Sequence, residues 1–153
     1  MAEQKLIHID LVPSFNFLHP LQLISEAVMK EAGAGKMDED SQTYNFVLAV
    51  DEIVTNILKH GFDLTKKPFP ITIKFIINNK KVTAEIYDEG EKYEPPSNYN
   101  QDIVMEQFCG MGLHFVKTLM DEYQYLYDNK QKKNIVIISI HLKKILPAVK
   151  PRQ

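Results

Sequence analysis

Apolar and polar residues alternate at the start of the chain and then recur at the spacing of a helix. From Leu6 to Leu11 every second residue is apolar, namely Ile7, Ile9 and Leu11, and the residues between them are mixed in character. This alternation has the period of a half-buried strand, which ends at Pro13. After Pro20 the apolar residues fall three or four apart and predict a first helix that stops at Gly33-Ala34-Gly35. The residues on its apolar side are Leu21, Ile24, Val28 and Ala32.

A longer run at helical spacing predicts a second helix from about Ser41 to Gly61. Its apolar positions fall on one arc of a helical wheel, as in a helix that packs one face against a core. They are Phe46, Val47, Val50, Ile53, Val54, Ile57 and Leu58. Roughly opposite this arc lie four polar residues, which we call the polar stripe: Glu52, Asn56, Lys59 and His60.

Two antiparallel hairpins are predicted in the second half of the chain. The strands of the first are Ile71 to Ile77 and Val82 to Tyr87, which alternate in character and are joined by a short polar turn. The strands of the second are Tyr123 to Tyr127 and Ile135 to Leu142, and the polar segment from Asp128 to Asn134 is expected to form its turn.

A long irregular stretch separates the two hairpins. Residues 91–109 include Pro95-Pro96, and a helix from Gly112 follows them. Connections longer than about 12 to 15 residues are uncommon in compact domains unless they are lids, binding loops or disordered segments. We therefore expect a single domain over residues 1–146, with a lid at about 91–109, and a frayed tail over 147–153.

Composition and charge exclude several classes of protein. The chain is 44% apolar and 25% charged with a formal net charge of −2, which is ordinary for a soluble domain and gives no sign of a nucleic-acid binder. No window approaches the roughly 18 to 20 apolar residues that span a bilayer. The single cysteine, Cys109, cannot form an internal disulfide. We expect a cytoplasmic protein that binds neither membranes nor nucleic acid directly.

The polar stripe contains residue types that suit chemistry on a hydroxyl group. The Glu52 carboxylate can take a proton from an attacking hydroxyl, and the Asn56 carbonyl, one turn further on, can hold magnesium. The alternative is a solvated helix face. That alternative explains Glu52 and Lys59 well, but it explains Asn56 poorly because asparagine is an unfavourable residue inside a helix.

Two further features point to a nucleotide. Asp88 has the same parity as Val82, Ala84 and Ile86, so if that face is buried its carboxylate points into the interior. A buried carboxylate requires a hydrogen-bond donor, such as the exocyclic amine of adenine. Gly90, two residues further on, lets a ligand approach the backbone closely. Gly110 and Gly112 precede a helix whose first N–H groups can meet phosphates. The alternatives are an ordinary Asp-Glu-Gly turn and a flexible helix start.

Taken together, the run from Glu52 to His60, Asp88-Glu89-Gly90 and Gly110-Met111-Gly112-Leu113 resemble the N box and the two glycine boxes of the GHKL ATPase superfamily. Within it the chain is most similar to the anti-sigma-factor serine kinases. The resemblance implies a Bergerat-type α/β two-layer sandwich, in which a mixed, mostly antiparallel sheet carries helices on one face. It also implies that ATP and magnesium are bound.

The resemblance also assigns roles to residues. Glu52 would be the general base, Asn56 the magnesium ligand, Asp88 the adenine reader and Lys59 a phosphate contact. The nucleotide-binding set would be Asn56, Lys59, His60, Asp88, Gly90, Gly110, Met111, Gly112 and Leu113. The implied partners are a sigma factor, which such proteins hold inactive, and an antagonist protein that they phosphorylate on serine. Because family members often dimerise, a homodimer is also expected.

One departure from the family favours an alternative function. Between Lys92 and Lys117 the chain has no lysine or arginine, where the family often has an arginine before the second glycine box. The alternative is a catalytically weak or inactive module that regulates a partner by sequestration. A third interpretation, the catalytic domain of a sensor histidine kinase, rests on His19-Pro20. It is disfavoured because we expect no long helical dimerisation hairpin ahead of the second helix.

Overall fold

The computed structural model describes residues 4–61, 67–93 and 111–143. Within them a five-stranded sheet carries three α-helices on one face, which confirms the expected two-layer α/β sandwich. None of the helices described is long and apolar enough to cross a membrane. In chain order the elements are β1 (Lys5–Leu11), α1 (Leu18–Glu31), α2 (Ser41–His60), β2 (Ile71–Asn78), β3 (Lys81–Asp88), α3 (Met111–Leu119), β4 (Glu122–Asp128) and β5 (Lys133–His141).

Most of the predicted lid lies outside the described residues, from position 94 to 109, and so does the predicted tail over 147–153. Both stay predictions, as does the single domain over residues 1–146. The helix that follows the lid is confirmed, and it begins at Met111, one residue before the predicted start. The order of elements on either side of the lid is the order that the sequence predicts.

The strands are arranged in the order β1-β2-β3-β5-β4, and each of the four pairings is antiparallel. The described sheet is therefore antiparallel throughout, where the sequence suggested a mixed, mostly antiparallel one. Both predicted hairpins are confirmed. The first turns at Asn79 and Lys80, whose φ angles are 46° and 66°. Two successive positive φ angles are typical of the two-residue turn that matches the right-handed twist of the strands.

The turn between β4 and β5 is shorter than predicted. Oδ1 of Asp128 accepts hydrogen bonds from the N–H groups of Lys130 and Gln131, at 2.9 and 3.0 Å, and closes the turn early. The prediction that Asn134 belongs to this turn is therefore wrong. Asn134 lies in β5, directly opposite Asp88 of β3.

The core lies between the inner face of the sheet and the helices, with α2 at its centre. Alternate residues of β2 and β3 are buried, as the period of two predicts. The rings of Phe46 in α2 and Phe75 in β2 have centroids 6.2 Å apart, a favourable distance for a tilted aromatic pair. The apolar arc predicted for α2 is confirmed, since each of its residues is buried except Leu58, which is partly buried.

Local hydrogen bonds set the ends of the first two helices. Gly33, whose φ is 98°, ends α1 where the sequence predicts. Asp40 caps α2, because its Oδ1 accepts the Gln42 N–H at 2.9 Å and its Oδ2 accepts the Gly35 N–H at 2.8 Å. The cap joins the start of α2 to the loop after α1, and it thereby helps to position the polar stripe.

Asp40→Ala is expected to lower the free energy of unfolding by about 1–2 kcal/mol, because two backbone N–H groups lose their acceptor. The measurement is urea unfolding followed by circular dichroism. Asp38→Ala is the matched control, since Asp38 is exposed in the preceding turn and its loss should change stability by less than about 0.5 kcal/mol. Equal effects of the two substitutions would contradict the capping role of Asp40.

Candidate functional site

Three chain segments meet at one end of the sheet: the C-terminal half of α2, the end of β3 with the residues just after it, and the start of α3. The first close approach is between α3 and α2. A Cβ atom built on Gly112 would overlap Oε2 of Glu52 and would lie 3.8 Å from Nδ2 of Asn56. The backbone of α3 thus begins directly beside two residues of the polar stripe, and glycine at this position provides the room.

The second close approach joins the end of β3 to the end of α2. A Cβ atom on Gly90 would lie 2.8 Å from the Gly61 carbonyl oxygen, 3.1 Å from the Gly61 Cα and 2.8 Å from Oδ1 of Asp88. Two of these three atoms belong to the backbone, which cannot swing aside as the end of a flexible side chain can. Glycine at position 90 therefore allows the end of α2 to lie against Asp88.

Gly90→Ala is expected to lower the free energy of unfolding by about 1–3 kcal/mol, the usual effect of forcing a methyl group into a packed site. The measurement is chemical unfolding. The matched control is Glu89→Ala, because the Glu89 side chain is exposed and its ion pair with Lys133 is long, at 3.9 Å. The control should shift stability by less than about 0.5 kcal/mol. A Gly90→Ala protein as stable as wild type would show that the contact with Gly61 is not required.

Asp88 is the last residue on the buried face of β3, as the alternation along that strand predicts, and 6% of its surface is exposed. Its Oδ1 accepts hydrogen bonds from the Gly90 N–H at 2.9 Å and from Nδ2 of Asn134 at 3.0 Å. Burial raises the pKa of Asp88, and the two hydrogen bonds oppose this rise because they favour the ionised carboxylate. Both of these bonds from described residues end on Oδ1, which leaves Oδ2 for a further donor.

Asn134 is a part of this site that sequence reasoning missed. It is 5% exposed, and its side chain joins Asp88 to Tyr125 of β4 and to the chain after β3. Gly61 was also missed, because the sequence indicated only that a helix ends there. A signal for Asn134 exists: it shares its parity in β5 with three residues of the core face, Val136, Ile138 and Ile140.

Two residues of the polar stripe face the start of α3. Glu52 and Asn56 are half-buried there, so this part of the stripe is not an open solvated surface. The N-terminal end of a helix carries partial positive charge, which favours the neighbouring Glu52 carboxylate. Because they are one helical turn apart, Glu52 and Asn56 share one side of α2. A carboxylate and an amide carbonyl both provide oxygen ligands, which Mg²⁺ prefers.

The remaining predicted residues are less closely tied to the site. Lys59 and His60 are exposed in the last turn of α2, and their side chains make no hydrogen bond or ion pair with another described residue. Leu113 is half-buried in α3. Gly110 and the side chain of Met111 lie outside the described residues. The nucleotide contacts predicted for these five residues stay predictions.

A family model described as histidine kinase-like ATPase domain matches residues 19–140. The match begins near the start of α1 and ends within β5. It therefore includes all three of the segments that meet at the site, together with the hairpins that position them.

Several curated proteins are similar to the chain. The serine-protein kinase RsbW of Staphylococcus epidermidis is 30% identical over 130 residues, which is 79% of this chain and 79% of that protein. The anti-sigma F factor of Thermoanaerobacter sp. is 38% identical over 80 residues, which is 50% of this chain and 54% of that protein. The serine-protein kinase RsbW of Listeria monocytogenes is 29% identical over 89 residues, 53% of this chain and 56% of that protein.

Proposed function

Because this chain belongs to the histidine kinase-like ATPase domain family, and within it to the anti-sigma serine-protein kinases, we propose that it is an ATP-dependent regulator of a sigma factor. In this proposal it phosphorylates a serine or threonine on an antagonist protein and sequesters the sigma factor in the cytoplasm. The proposal includes assembly as a homodimer.

The observation that carries the proposal is the convergence of the three motif segments. Gly112 lies against Glu52 and Asn56, and Gly90 lies against Gly61 at the other side of the site. Segments that are far apart in the sequence are therefore brought together at one end of the sheet. The half-buried carboxylate of Glu52, the buried carboxylate of Asp88 and the start of α3 lie on these segments, and each suits a different part of a nucleotide.

The buried carboxylate suits the adenine base. Oδ1 of Asp88 accepts hydrogen bonds from two donors, the Gly90 N–H and Nδ2 of Asn134. In the proposal Oδ2 accepts a hydrogen bond from the 6-amino group of adenine. A buried carboxylate without enough donors is unfavourable, so bound adenine would compensate part of the burial of Asp88. Gly90 fits the same role, since a side chain there would collide with Asp88 and Gly61.

The start of α3 suits the phosphates. Backbone N–H groups in the first turn of a helix have no partner within the helix, and they favour a neighbouring anion. Asn56 would supply one oxygen ligand to Mg²⁺, and the phosphates themselves would supply others, as is usual for Mg²⁺. Lys59, in the last turn of α2, would add positive charge near the phosphates, and His60 beside it would be a further nucleotide contact. Gly110, Met111 and Leu113 complete the proposed nucleotide-binding set.

When magnesium-ATP is bound, ATP supplies the phosphoryl group and magnesium neutralises part of the negative charge on the phosphates. The chain's own contribution is positioning and proton transfer. Glu52 would accept the proton of the attacking serine hydroxyl, and its half-buried place beside α3 keeps the carboxylate at the phosphate end of the site. Asp88 and Gly90 would hold the base at the other end, so that the phosphoryl group is aligned with the hydroxyl.

One observation favours a second candidate function. No lysine or arginine occurs between Lys92 and Lys117, whereas a cation near the transferred phosphoryl group commonly contributes about 10³-fold or more to the rate. The second candidate is a module that binds nucleotide and sequesters a partner without turnover, or with slow turnover.

Calorimetric titration with magnesium-ADP and magnesium-ATP tests the site before any partner is known. Micromolar binding supports the nucleotide site, and absence of binding overturns it. Incubation with radiolabelled ATP and a candidate antagonist then separates the two functions. Transfer to the antagonist supports the kinase, whereas binding without transfer over several hours supports the sequestering module.

A further inference from the structure

Asn134 is the most highly connected buried polar side chain among the described residues. Its Nδ2 lies within hydrogen-bond distance of three acceptors that share its two hydrogens, Oδ1 of Asp88 at 3.0 Å and the carbonyl oxygens of Gly90 and Glu91 at 3.2 and 3.1 Å. Its Oδ1 accepts a hydrogen bond from the Tyr125 hydroxyl at 2.5 Å and lies 3.4 Å from the Tyr93 N–H. One amide group thus contacts five residues on two separate parts of the chain, the stretch from Asp88 to Tyr93 and strand β4.

The surrounding groups fix the orientation of the Asn134 amide. Three acceptor oxygens surround Nδ2, and two donors, the Tyr125 hydroxyl and the Tyr93 N–H, point at Oδ1. Rotating the amide by 180° would place its oxygen against the carboxylate of Asp88 and its NH₂ group against the Tyr93 donor. This flipped state is unfavourable, so the network selects a single orientation.

A second contact reinforces the same arrangement. The Tyr93 N–H also donates to the Tyr125 hydroxyl at 3.0 Å. The two tyrosine rings meet edge to face, with centroids 5.8 Å apart, a favourable aromatic geometry. Tyr125 therefore supports Asn134 from the β4 side while Asp88 lies on the β3 side. The chain from Gly90 to Tyr93 is held between them.

We propose that Asn134 is a positioning residue of the nucleotide site, which orients Asp88 and the backbone of residues 90–93 for recognition of the 6-amino group of adenine. By donating to Oδ1 of Asp88, Asn134 leaves Oδ2 to accept a hydrogen bond from the base. This inference rests on the proposed function, since it concerns how the same site selects its nucleotide. Asn134 acts through Asp88 and does not itself contact the base.

The electrostatics agree with this role. Burial raises the pKa of Asp88, and the Asn134 hydrogen bond is the first of the two contacts that oppose the rise. An ionised carboxylate accepts a hydrogen bond from an amine more strongly than a protonated one. Asn134 therefore favours the form of Asp88 that recognises adenine.

The test compares ADP with purine riboside diphosphate, which lacks the 6-amino group, by calorimetric titration with Mg²⁺ present. Wild type is expected to bind ADP at least about 10-fold more tightly than the analogue. Asn134→Ala is expected to weaken ADP binding about 10-fold while changing analogue binding by less than about 3-fold, because the lost contact acts through the amine. Tyr125→Phe removes one hydroxyl and should weaken ADP binding by about 3-fold in the same selective way.

Asn129→Ala is the matched control, because Asn129 is an exposed residue of the adjoining turn, and it should change neither affinity. Equal loss of ADP and analogue binding in both variants would show a merely structural role and would overturn the inference. Unchanged ADP binding in Asn134→Ala would overturn it as well. If wild type binds neither nucleotide, the proposed function fails and this inference fails with it. If wild type binds ADP, the proposed nucleotide site stands, and the two variants then decide this inference alone.

Discussion

Asp88→Asn is expected to weaken magnesium-ADP binding by at least about 100-fold, equivalent to about 2.7 kcal/mol. The substitution keeps the shape of the side chain. Its remaining oxygen would stay on the two donors that now bind Oδ1, the Gly90 N–H and Nδ2 of Asn134. The new NH₂ group would then face the position of the adenine amine. Two donors would meet in a buried site, which is the most unfavourable arrangement for recognition. Calorimetric titration measures the loss.

The effect of Asp88→Asn on folding is expected to have a distinctive pH dependence. Because burial raises the pKa of Asp88 above the ordinary value of an aspartic acid, the folded state binds the proton more tightly than the unfolded state. The stability from this group is present below the unfolded pKa and is lost as the pH rises through the folded pKa. The Asp88→Asn protein has no carboxyl group at this position and so does not show this loss. Its stability relative to wild type should therefore increase as the pH rises from the unfolded pKa of Asp88 through the folded pKa.

Asp38→Asn serves as the control for both measurements, since Asp38 is exposed and far from the site in the sequence. It should leave nucleotide affinity and the pH profile of unfolding unchanged. If Asp88→Asn binds ADP as tightly as wild type, Asp88 is not the adenine reader. In that case the buried carboxylate serves the end of the hairpin alone.

Glu52→Gln is expected to slow phosphate transfer to the antagonist by about 10²–10⁴-fold, the usual contribution of a general base. The amide keeps the size of the side chain beside Gly112 but cannot take the proton of the attacking hydroxyl. Nucleotide affinity should change by less than about 3-fold, because Glu52 acts on the hydroxyl and not on the base. The measurement is the initial rate of transfer from radiolabelled ATP at saturating magnesium-ATP.

The matched control for Glu52→Gln lies on the same helix. Asp51 precedes Glu52, but its carboxylate faces α1, where it accepts a hydrogen bond from Nε2 of Gln22 at 3.0 Å. Asp51→Asn should leave the transfer rate within about 3-fold of wild type. Transfer at the wild-type rate by Glu52→Gln would exclude Glu52 as the base. Absence of transfer by wild type, with nucleotide bound, would favour the sequestering module.

The periodicity of the sequence predicted the elements well because it reports which side of each element is buried. The arc on α2 and the alternation on β2 and β3 arise from a single apolar core, and both are observed. The burial of Asp88 followed from the same alternation. The error at Asn134 has a local cause. Its polar neighbours resemble a turn, and the early closure by Asp128 that frees Asn134 for β5 depends on side-chain hydrogen bonds.

The sequence by itself determined the helices, the two hairpins, the burial of Asp88 and the motifs that resemble an ATPase. Only the tertiary structure decided that Gly112 lies against Glu52 and that Gly90 lies against Gly61. It also decided that the Asn134 side chain donates a hydrogen bond to Asp88. The physical reason is the range of the interactions. Local periodicity records how each residue faces the core. Contacts between distant segments depend on strand order and register, which arise only when β5 pairs with β3 and the helices pack on the sheet.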